Sequence, residues 1–142
     1  MSALVLVAII AGERVAIHAA AIEAIVDLWQ VVRVPLAPDH IIGVAAVRSR
    51  VLTVIDAAAA VGLRAKSTGN RAIIIDSAGH RYALRVDSIV EVVTSIGEIM
   101  PFDAPPADHW HDVAVGAVDT AHGFAVLIDP VRLLAGPLAK AA

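Results

Sequence analysis

The residues best suited by type and spacing to chemistry lie in one run, Asp108-His109-Trp110-His111-Asp112. Two imidazoles two positions apart on a strand face the same side, so His109 and His111 could share a metal ion with Asp108 nearby. No third or fourth ligand is spaced to complete a tetrahedral site, and a loop anchored by Trp110 accounts for the run more simply. Asp56, Asp87 and Asp129 are candidates for acid–base work. Asp56 and Asp129, however, each precede a predicted helix, where a carboxylate accepts backbone N–H bonds. Arg48 and Arg50 flank one residue of a predicted hairpin turn, where a solvated charge pair is the ordinary reading. Nucleophile-elbow, dinucleotide-turn, phosphate-loop and His-Glu-x-x-His motifs are absent from the sequence, and with no cysteine there is no thiol nucleophile or thiolate metal site.

The elements that would position these residues are mostly short strands. Leu4–Ile10 and Arg71–Asp76 are β-branched runs, each followed by a turn signal, Ala11-Gly12-Glu13 or Ser77-Ala78-Gly79-His80. Their return strands are Arg14–His18 and Arg81–Val86, and a third segment follows around Ile89–Val93. Further hairpins pair Val44–Val47 with Val51–Ile55 through Arg48-Ser49-Arg50, and Val113–Val118 with Phe124–Ile128. Asp56 is the expected cap of a helix over Ala57–Val61 that Gly62 closes. Asp129, with Pro130 in the first helical position, starts a second helix through Leu134 that Gly136 closes. Ala19–Ala24 reads as helix by its alanines and as strand by its neighbours. Pro35, Pro38, Pro101, Pro105 and Pro106 mark longer loops, and 64–70 is a polar link.

These elements come in duplicate. Gly12-Glu13-Arg14-Val15-Ala16-Ile17 resembles Gly79-His80-Arg81-Tyr82-Ala83-Leu84, an offset of 67 (12 to 79), and Ile22 and Ile25 fall on Ile89 and Val92 at the same offset. Gly43-Val44-Ala45 and Ile55-Asp56 match Gly116-Ala117-Val118 and Ile128-Asp129 at an offset of 73 (43 to 116). Four matches in one order indicate two versions of a single supersecondary unit. Five short strands per half, without room for crossover helices, predict two small twisted barrels, approximately 1–66 and 67–142, within one domain; strand exchange between them is allowed. Closure would remove strand edges, and a shared apolar seam would support barrels that are marginal alone.

Composition bounds the partners. In 142 residues, 58% are hydrophobic and 18% charged, with a formal net charge of −3. Eleven scattered Lys and Arg residues offer no basic stripe for nucleic acid. No apolar run approaches the roughly 20 residues of a spanning helix, and no basic residue precedes the apolar opening as in a signal peptide. A cytoplasmic protein without direct membrane insertion is the expectation.

The stretch Gly43-Val44-Ala45-Ala46-Val47-Arg48-Ser49-Arg50-Val51-Leu52-Thr53-Val54-Ile55-Asp56 resembles the Gly-x-x-Asn-Leu-Arg-Gly-x-x-x-Pro-x-x-Asp pattern of the CheW-like domain of bacterial chemotaxis coupling proteins. Val86-Asp87-Ser88-Ile89-Val90-Glu91-Val92 is a second marker, and the resemblance runs from about Leu4 to Leu134. Ala46, Ser49 and Thr53 stand where the pattern has Asn, Gly and Pro, and Ala24 stands where the family often has Glu, with Glu23 one place earlier.

The resemblance implies a mainly β fold of two five-stranded SH3-like barrels around a shared hydrophobic core, with short helices. It also implies a non-catalytic scaffold, without cofactor or metal. Such a scaffold couples the cytoplasmic tips of chemoreceptors, taken up in a groove between the barrels, to the regulatory domain of a CheA-type histidine kinase at membrane-associated receptor arrays. By position it assigns receptor or kinase binding to Ile22, Arg48, Ala72 and Val86. Two other readings are a coupling module of a non-motility chemosensory circuit (pili, biofilm or development) and a small metal-binding barrel or enzyme using His109 and His111.

Overall fold

A computed structural model describes residues 3–63, 69–101, 110 and 112–136. Its strands are β1 (Leu4–Ile10), β2 (Glu13–His18), β3 (Ala24–Asp27), β4 (Val32–Arg33), β5 (Ile41–Val47), β6 (Arg50–Asp56), β7 (Arg71–Ser77), β8 (His80–Arg85), β9 (Ser88–Thr94), β10 (Ile96–Met100), β11 (Ala114–Thr120) and β12 (Gly123–Ile128). One helix, α1 (Ala57–Ala60), and 3-10 turns at Ala19–Ala21 and Pro130–Leu133 complete the described elements. The ambiguous alanine segment thus resolves as a single 3-10 turn followed by a strand. The links through 64–68 and 102–109 lie outside the described residues.

The strands form two sheets in the orders β10-β11-β12-β2-β1-β9 and β3-β7-β8-β6-β5-β4. Each therefore takes a hairpin from the far half of the sequence: β1–β2 lies among the C-terminal strands, and β7–β8 among the N-terminal ones. The exchange is made by two equivalent parallel pairings, β12 with β2 and β6 with β8.

The duplicated hairpins predict closed five-stranded barrels; among the described residues neither sheet closes by hydrogen bonding, and each has six strands and two edges. The edges are joined by the chain itself. β9 leaves one edge and, after Ser95, re-enters at the other as β10, while β3 and β4 do the same around Leu28–Val31. Each sheet is thus five strand positions with one strand bent across the gap, an SH3-like arrangement without a closing ladder.

This exchange explains the unusual hydrophobicity. In β7, Ile73 and Ile75 face a shared core with Leu6, Ile10, Ile17, Ile55, Leu84, Ile128 and Leu133, while Ala72 and Ile74 face the interior of their own sheet with Leu52, Val54 and Ala83. In β1, Leu6, Ala8 and Ile10 face the shared core, and Val5 and Val7 the interior of the other sheet. A strand buried on both faces has no polar side to alternate with, so it reads as a continuous apolar run.

The predicted caps form. The Asp56 carboxylate accepts the N–H of Ala59 at 3.0 Å ahead of α1, and Asp129 accepts that of Val131 at 3.1 Å. Asp87 also has a structural partner: its carboxylate accepts the N–H of Gly12 at 3.2 Å and so ties the β1–β2 turn to the start of β9.

Candidate functional site

The β5–β6 hairpin turns through Arg48 and Ser49, both with positive φ (50° and 66°), and Val47 pairs with Arg50. Positive φ at both central positions is the two-residue turn whose twist matches the flanking strands. Past it, side chains alternate between faces. Leu52 and Val54 fill the interior of the second sheet, and Arg50, two positions earlier, continues their row to its mouth. On β8, Arg81 continues the row of Ala83 in the same way.

The result is a cavity of about 270 Å³ whose floor is apolar (Ala24, Val26, Val47, Leu52, Ile74) and whose rim carries Arg48, Arg50, Arg81 and Glu23. The Arg81 Nε–H is shared between the two Glu23 carboxylate oxygens at 2.8 and 2.9 Å. The hydrogen bond from Arg81 is the main cause holding the Glu23 carboxyl below its ordinary value, and the same bond raises Arg81. Arg48 and Arg50 have no ion pair or hydrogen bond among the described residues.

The four residues assigned through the family pattern do not share one surface. Arg48 is exposed on the cavity rim. Ile22 is half-buried and packs against the shared core. Ala72 and Val86 are both 0% exposed, Ala72 inside the second sheet and Val86 in the shared core. Their side chains therefore fill the barrels and offer a partner no free area. Arg50, Arg81 and Glu23 are the rim residues that the family pattern leaves out. The signal for the arginines was the strand alternation that places each two positions before a buried apolar residue.

Of the run at 108–112, Asp108, His109 and His111 lie outside the described residues. Trp110 is fully buried, and its indole N–H donates to the Glu13 carboxylate. Among the described residues no group of three or more His, Asp or Glu side chains is placed to hold a metal ion. No described helix is long and apolar enough to cross a membrane.

Exposed apolar side chains recur at equivalent positions of the two halves. Trp29, Val32 and Val51 (78%, 69% and 68% exposed) correspond to Ile96, Ile99 and Phe124 (57%, 41% and 63%).

Comparison with known proteins places the fold. The chain matches the CheW-like domain over residues 4–137. It is similar in structure to the scaffolding protein TtCheW from Thermoanaerobacter tengcongensis, with a TM-score of 0.77 and 24% identity over 91% of this chain and 90% of that one. No curated protein matches the sequence. Duplicated halves, exchanged hairpins and a match spanning nearly the whole chain lead to one conclusion: the protein belongs to the CheW-like domain family.

Proposed function

We propose that the protein is a non-catalytic adaptor that couples the cytoplasmic tips of chemoreceptors to the regulatory domain of a CheA-type histidine kinase, in the cytoplasm at receptor arrays. The observation that carries this reading is the CheW-like match over residues 4–137, with Arg48 of the marker motif on the rim of an open cavity. Exposed apolar side chains recur in both halves, as suits a scaffold with two neighbours. An adaptor of this kind changes kinase output through contacts that differ between signalling states, since equal affinity for both states shifts nothing.

Within this reading Arg48 contacts the partner directly and Ile22 lies at the edge of the contact. Ala72 and Val86 act by shaping the backbone around it. The test is co-purification of the full chain with a receptor-tip helical hairpin and with a kinase regulatory domain, followed by calorimetry. Arg48→Glu is expected to weaken one of these complexes at least tenfold while the thermal melt stays unchanged. Unchanged binding removes Arg48 from the site, and failure to bind either partner removes the adaptor reading.

A further inference from the structure

The two barrel mouths, built on the same plan, differ in one respect. In the first sheet, the positions equivalent to Arg48 and Arg50 are Ala121 and Gly123. There Arg14, the equivalent of Arg81, reaches over Gly123 and donates to the carbonyl of His122, whose ring pairs with Glu91 at 2.6 Å. A Cβ on Gly123 would lie 2.8 Å from the Arg14 guanidinium, so the arginine lies across the turn. Arg14 is thus held by a backbone carbonyl and His122 by Glu91. In the second sheet, Arg81 is turned to Glu23 instead, and two further guanidinium groups stand beside an open cavity with no carboxylate partner among the described residues.

We propose that this cavity receives an acidic side chain of the bound partner, a Glu or Asp held between Arg48 and Arg50 with an aliphatic neighbour from the same partner segment on the floor. The proposal rests on the adaptor reading and names the partner chemistry that its site selects. Three arginines against one carboxylate leave an excess of two positive charges on the rim. A guanidinium is built to hold a carboxylate by two parallel N–H bonds.

The apolar floor of Ala24, Val26, Leu52 and Ile74 selects an occupant that is aliphatic beside its charge, as on an amphipathic helix, rather than a free inorganic anion. An Arg–carboxylate pair in open water contributes little. Sealed beneath a partner it gains from the lower local dielectric, and losing one member then leaves a buried unpaired charge.

The test uses the full chain and whichever partner binds it, the receptor-tip hairpin or the kinase regulatory domain, in calorimetry at fixed salt. Each acidic residue on the partner's contact surface is changed to Gln and, separately, to Lys. One position is expected at which Gln costs at least tenfold in affinity. That loss should not grow when Arg50→Gln is added, and the Lys variant should recover at least fivefold when paired with Arg50→Glu. Arg50→Lys should retain only part of the affinity, because a point charge cannot make the forked contact.

If the unaltered chain binds but no acidic position couples to Arg48 or Arg50, this inference is overturned and the adaptor reading stands. If instead inorganic phosphate competes with the partner at the cavity while partner substitutions show no coupling, the site holds a free anion and the inference is again overturned. If the unaltered chain binds neither partner, both readings fall.

Discussion

The backbone of Val32 passes so close to Gly43 that a Cβ on the glycine would lie 2.0 Å from the Val32 carbonyl oxygen. Gly116 stands in the same relation to Met100, whose carbonyl oxygen would lie 2.8 Å from an added Cβ. These are the glycines of the repeated Gly-x-Ala and Gly-x-Val segments, and each admits the bent strand that bridges its sheet, β4 onto β5 or β10 onto β11. Gly43→Ala is therefore expected to destabilise the fold by about 1–3 kcal/mol, the range of overpacking, through displacement of β4. Gly116→Ala should cost less, because the backbone oxygen there would lie 2.8 Å from the added Cβ rather than 2.0 Å, and the other close atom belongs to the movable Ile99 side chain. Urea denaturation of the two variants, with equal m-values, checks the order.

Ser49 occupies a position in the β5–β6 turn that suits glycine, with φ 66°. A left-handed conformation costs an L-residue roughly 1–2 kcal/mol. Ser49→Gly relieves most of that and gives back part as extra freedom in the unfolded chain, so stability should rise by about 0.5–1 kcal/mol. A higher thermal midpoint, with partner affinity unchanged, is the expected result; a lower midpoint refutes the strain argument.

Asp56 and Asp129 cap equivalent turns but differ in burial, Asp56 being 0% exposed. Asp56→Ala should cost about 2 kcal/mol, the upper end for a cap, and Asp129→Ala nearer 0.5–1 kcal/mol. Equal losses would show that burial does not govern the difference.

The Glu23–Arg81 pair gives a pH signature. The folded-state carboxyl of Glu23 titrates below its unfolded value because Arg81 hydrogen-bonds its charged form. Its stabilising contribution is thus complete above the ordinary glutamate range and disappears as pH falls through the lowered folded value. Carbon NMR of the Glu23 carboxyl should show a midpoint below that of an exposed glutamate. Arg81→Gln should move it upward, and no movement would mean that the pair does not form in solution.

Much of this protein was written locally. The hairpin turns and the two capping aspartates could be read directly from residues, because a turn or a cap depends on neighbours within a few positions, and the duplication showed as matched runs at offsets of 67 and 73. Arg48 was equally legible as a turn residue of the marker motif.

The sequence alone determined two copies of one β unit and the ends of their helices. Only the tertiary structure decided which hairpin joined which sheet. That choice is made by the parallel pairings of β12 with β2 and β6 with β8, between segments distant along the chain whose register no local pattern specifies. Because of it, Ala72 and Val86 are interior residues, and Arg48, Arg50, Arg81 and Glu23, drawn from separate strands and turns, meet around one opening.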